Sequence, residues 1–116
     1  MDNYKRYYEV KENHSNTKAT HLKAEVYYNL GGQNFFTGRE ERRGYYISIS
    51  PVVKSDNFES YAAFTGLKVC ILEVKRKSQK KFEEAKSKFT DTIEDFIKNQ
   101  FSEFEVDFSN YEERWD

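Results

Sequence analysis

Apolar and polar residues alternate without a break from His21 to Leu30. Leu22, Ala24, Val26, Tyr28 and Leu30 fall on one side of an extended chain, and His21, Lys23, Glu25, Tyr27 and Asn29 on the other. A period of two predicts a strand with one buried face. Gly31, Gly32, Gln33 and Asn34 supply turn chemistry, and residues 35–43 read as a connector or short strand between Gly38 and Gly44. Residues 45–53 alternate again, with Tyr45, Ile47 and Ile49 against Tyr46, Ser48 and Ser50. They pair with residues 22–30 as a long hairpin, and Pro51, which has no N–H to donate, limits this strand to an edge or a terminal position.

Residues 67–76 are apolar on both faces, Leu67, Val69 and Ile71 on one and Cys70, Leu72 and Val74 on the other, as a central and best protected strand requires. The period then changes. Phe82, Ala85, Phe89, Ile93, Phe96 and Ile97 recur at spacings of three and four, behind Ser78 as a helix cap. Phe104, Val106 and Phe108 alternate with Glu103, Glu105 and Asp107, which predicts a last strand at an edge guarded by its acidic face. Residues 4–10 read as a strand or an ordered arm, residues 12–20 as a polar loop, and residues 54–66 are ambiguous. The pattern predicts a single α+β domain over residues 1–116. Its antiparallel sheet has four to five strands packed on one long C-terminal helix in the order β-β-β-β-α-β, and residues 109–116 form an acidic tail.

Composition sharpens this picture. At 116 residues there is room for one core, and the ten Phe, nine Tyr and one Trp must build much of it because leucine is scarce. The mean hydropathy of −0.96 is low, but a net charge of only −1 removes the repulsion that accompanies disorder. A single cysteine excludes a disulfide scaffold; Cys70 lies among Val69, Ile71 and Leu72 and reads as a buried, unreactive thiol. The first thirty residues contain no apolar run of signal-peptide length, an expectation of a cytoplasmic protein without membrane contact.

Three groups of residues suggest chemistry. Glu73, Val74 and Lys75, preceded by Asp56, resemble the spacing of metal-dependent nucleases, in which carboxylates converge on Mg²⁺ and a lysine stabilises charge on the phosphate. Arg39, Glu40, Glu41, Arg42 and Arg43, followed by Tyr45 and Tyr46, read either as a solvated hairpin tip or as a protein-contact surface, because Arg and Tyr are enriched where partners dock. The third group is a charge polarity that the near-zero total conceals. Residues 68–88 hold eight basic side chains against three acidic ones, a net of +5, and residues 91–116 hold nine acids against two bases, a net of −7. Lys75, Arg76, Lys77, Lys80 and Lys81 cluster at the start of the helix, where the macrodipole disfavours cations and an RNA or DNA phosphate meets both lysines and backbone N–H groups. The acidic end, with Phe101, Phe104, Phe108, Tyr111 and Trp115, reads as a solvated edge or as a mimic of phosphates. His14 and His21 offer no metal pair, and no cofactor or catalytic set is expected.

The segments THLKAEVYY (20–28), Gly31 and Gly32, FTGREERRGYY (36–46, with Gly38 and Gly44), SISPV (48–52) and EVKRKS (73–78) together resemble short proteins encoded on conjugative elements and phages of Gram-positive bacteria. The resemblance spans residues 5–82. Some proteins of that kind resemble anti-CRISPR inhibitors of type II effector nucleases. The resemblance implies a stoichiometric binder that blocks an effector nuclease or interferes with its guide RNA, and it brings no catalytic residues with it.

Overall fold

The alternation at residues 21–29 forms a strand, and it lies in the interior of the sheet. In the computed structural model, which describes residues 3–35, 37–63 and 66–116, β2 (His21–Asn29) is flanked by β1 (Tyr4–Asn13) and β5 (Gly44–Ser55), both antiparallel to it. Phe36, within one of the resembling segments, Phe64 and Thr65 of the ambiguous stretch, and the first two residues lie outside the described ones. The sheet continues through β8 (Phe104–Trp115) beyond β1, and the far edge of β5 is shared by β6 (Phe58–Tyr61) and β7 (Leu67–Glu73). A small separate hairpin joins β3 (Gly32–Gln33) to β4 (Glu40–Glu41). The helix α1 (Gln79–Gln100) covers one face, so the architecture is the expected α+β with a dominant antiparallel sheet.

Ser78 caps α1 by accepting from the Lys81 amide at 3.1 Å. Phe82, Ala85, Phe89, Ile93 and Ile97 are buried against Tyr4, Tyr8, Leu22, Ala24, Val26, Tyr45, Ile47 and Ile49. Each large side chain removed from water here contributes about 1.5–3 kcal/mol. Within this core Arg6 is buried beside β8, donating to the hydroxyls of Tyr4 and Tyr8 with its guanidinium 4.3 Å from the centre of the Tyr111 ring. No helix among the described residues is long and apolar enough to cross a membrane.

Two features depart from the sequence pattern for the same physical reason, a slip in register. Residues 67–73 are not a central strand: β7 pairs only with β5, and its residues are half-buried or exposed. Tyr45 faces Leu72 while Tyr46 faces Cys70, which leaves Ile71 as the extra residue of a bulge. The bulge returns Leu72 to the helix side with Leu67, so an apolar run that reads as two-faced is a one-faced edge strand, and Cys70 is half-buried on the other side. The last strand is likewise longer than its alternation, because β8 shifts register between Val106 and Tyr111 and then pairs again to Trp115 opposite Tyr4. The expected acidic tail is therefore the second half of β8. Residues 4–10, open between strand and arm, lie in the interior strand β1, and residues 54–61 form the β5–β6 hairpin.

Pro51 sits inside the long interior strand without breaking it. The outer partner of β5 changes there, from β7 along residues 44–49 to β6 along residues 52–55. The Pro51 carbonyl accepts from the Ala62 amide on that outer side, so the ring nitrogen faces the junction where no ladder donor is needed.

Candidate nucleic-acid interface

The structure brings the two basic groups of the sequence to one end of the sheet. Gly44 at the start of β5 pairs with Glu73 at the end of β7, which places Arg42 and Arg43 beside residues 74–78. The Val74 amide donates to the Arg43 carbonyl at 3.2 Å. Arg43 Nε donates to the Leu30 carbonyl at 2.9 Å and its Nη1 reaches the Lys75 carbonyl at 3.5 Å. Tyr28 and Tyr45 donate their hydroxyls to the carbonyls of Lys75 and Ser78, at 3.0 and 3.2 Å. Three side chains thus hold the backbone of the loop by its carbonyls while Lys75, Arg76 and Lys77 stay exposed. A cleft of about 680 Å³ runs along Arg43, Glu73, Val74 and Lys75.

Charge at this end is only partly compensated. Glu73 lies 3.5 Å from Arg42, both well exposed, and Lys81 lies 3.4 Å from Glu84; pairs of this kind contribute little and are screened by salt. Glu41 is engaged by Lys68 at 2.8 Å, whose hydrogen bond, with those of Asn29 and Asn34, holds the carboxyl below its ordinary range. Among the described residues Arg39, Lys75, Arg76 and Lys80 make no ion pair, and the first turn of α1 carries no acid.

Other expected site residues fall elsewhere. Tyr45 and Tyr46 are 1% and 6% exposed, so they are not contact groups: Tyr45 joins the core, and Tyr46 donates to the Arg42 carbonyl at 2.7 Å, shaping the arginine segment from within. Asp56 and Glu73 do not converge, because the 12 residues of β5 lie between them, roughly 35 to 40 Å at ~3.3 Å per residue. The acidic half of β8 is largely satisfied internally. Glu112 accepts from Lys54 at 2.7 Å and is approached by Arg114 at 3.1 Å, and Asp116 lies 2.9 Å from Lys5.

Two groupings escaped the sequence. On the sheet face without a helix, Tyr7 is 2% exposed under the cations of Lys23, Lys54 and Arg114, and its hydroxyl donates to Glu59 at 2.6 Å. Burial pushes the Tyr7 phenol up, and the Glu59 carboxylate pushes it further. Burial also pushes Glu59 up, but its bonds from Lys23 and Tyr7 outweigh this and hold it below the usual range. At the other end, Glu12, His14 and Glu105 bring three ligand atoms within 4.8 Å of one another, all on exposed side chains. Both groupings depend on pairing across strands distant in sequence, which no local pattern reveals.

No protein-family model, curated protein or solved structure matches the chain.

Proposed function

We propose that this is a non-catalytic, cytoplasmic interaction protein of a mobile element that acts through RNA or DNA, gripping the phosphate backbone with the basic end of its sheet. The observation that carries the reading is the convergence of Arg42 and Arg43 with Lys75, Arg76, Lys77, Lys80 and Lys81 around a loop held by Tyr28, Arg43 and Tyr45. A backbone fixed by its carbonyls presents its cations without a large ordering cost on binding. Phosphate contacts of this kind supply sequence-independent affinity. The resemblance to small proteins of phages and conjugative elements fits an anti-defence role, in which the guide RNA of an effector nuclease is the target and the effector itself the protein partner.

The separation of Asp56 from Glu73 and the pairing of Glu73 with Arg42 give no support to a Mg²⁺-dependent nuclease. Fluorescence anisotropy with labelled RNA and DNA at low salt tests the reading. Saturable binding that the combined Lys75→Ala, Arg76→Ala and Lys77→Ala changes weaken supports it, and absence of binding to either polymer overturns it. Co-elution with a type II effector only when guide RNA is loaded is the expected result for the anti-defence role.

A further inference from the structure

The basic end adjoins the most exposed apolar group of the described surface. Phe35 at the tip of the β3–β4 hairpin is 95% exposed and Leu30 is 68% exposed. Both line a cleft of about 530 Å³ together with Tyr27, Tyr28, Glu41 and Lys68. This cleft and the basic one share a wall. Arg43 holds the Leu30 carbonyl on one side and reaches the Lys75 carbonyl on the other, and Tyr28, which lines the aromatic cleft, bonds Lys75 through its hydroxyl.

An aromatic ring beside unpaired cations matches a particular ligand. Duplex nucleic acid offers phosphates but keeps its base faces stacked inside, so Phe35 reaches one only at the cost of unstacking a base step. A single strand offers both, a phosphate backbone and exposed base faces that stack on aromatic side chains irrespective of sequence. The charge of the aromatic cleft is compatible with this, because Glu41 is neutralised by Lys68 and bonded to Asn29 and Asn34.

Resting on the proposed binding of RNA or DNA, we infer that the ligand is single-stranded, with Phe35 as a stacking platform for a base whose flanking phosphates lie on Arg43, Lys75 and Arg76. The hairpin is a positioning device for that ring: Asn34 accepts from the Thr37 amide at 3.1 Å, and the Asn34 amide donates to the Arg39 carbonyl at 2.6 Å.

The test compares three probes of about 12 nucleotides, a length within the range one small domain covers: a single strand, its duplex, and an abasic strand with the same phosphates. The single strand should bind tightest, Phe35→Ala should lower that affinity roughly five- to 150-fold, and Phe35→Trp should retain it. Equal affinity for all three probes with no effect of Phe35→Ala overturns the inference while leaving phosphate binding intact. Failure of every probe to bind at low salt overturns both. Thermal melts of the Phe35 variants should match the parent protein, since the ring is outside the core.

Discussion

The Tyr28 hydroxyl donates to the Lys75 carbonyl across 3.0 Å, tying an interior strand to the basic loop 47 residues later in the chain. This bond is one of the three side-chain ties that hold the loop, with those of Arg43 and Tyr45. Tyr28→Phe keeps the ring and removes the bond, so it should cost about 0.5–1.5 kcal/mol in chemical denaturation. It should also weaken RNA binding severalfold, because the loop that carries Lys75 and Arg76 loses one of its three side-chain ties. Unchanged affinity in the folded variant would show that the position of the loop is immaterial to binding.

Gly44 governs the same junction from the other side. A side chain there would meet the Leu72 carbonyl oxygen and the Glu73 backbone, neither of which can turn away without separating β7 from β5. Gly44→Ala is expected to destabilise by about 1–3 kcal/mol, as forced overpacking does, and to lower affinity along with stability. Urea titration followed by circular dichroism provides the check.

Much of the fold was legible because the periods were clean. The alternation at residues 21–29, the three-and-four spacing of Phe82 to Ile97 and the cap at Ser78 each specify one element, and these are the elements of the core. Ile71 shows what was not legible: a bulge is set by what the partner strand needs, and a continuous apolar run gives no sign of which residue will be extra. The second half of β8 was hidden by the same effect. The basic residues of the site were conspicuous as charge runs, but their union depends on Gly44 pairing with Glu73, a long-range register that neither run contains. Tyr45 and Tyr46 were misread because strand alternation places one on each face, and both faces of β5 are covered there.

Phe89 is the hinge of the core between helix and sheet. Its ring meets Tyr4 edge to face at 5.6 Å, and the Arg6 guanidinium lies 5.4 Å from its centre. Phe89→Ala should cost about 3–5 kcal/mol, enough to lower the melting temperature sharply in a domain this small. Scanning calorimetry measures it.

The uncovered sheet face makes stability depend on acidity. Glu59 is held below its ordinary value of 4.5 by the bonds of Lys23 and Tyr7, with Lys5 adding to the field. A carboxylate depressed in the folded state stabilises above the unfolded value, and that contribution disappears as pH falls through the lower folded one. Glu25, which burial pushes up, acts in the opposite sense and offsets part of the loss. Denaturation midpoints should therefore fall as pH drops below about 4.5, and Glu59→Gln should flatten the decline. An equally steep decline in the variant would place the titrating group elsewhere.

The dependence of RNA affinity on salt bears most directly on the basic end of the sheet as a phosphate grip. For single strands the logarithm of the binding constant falls against the logarithm of salt concentration by about 0.7 per phosphate neutralised. Replacing Lys75, Arg76 and Lys77 together by alanine removes three such cations, so the slope should become shallower by roughly 2. An unchanged slope, with the variant folded and still binding, would contradict the account and move the interface to another face of the protein.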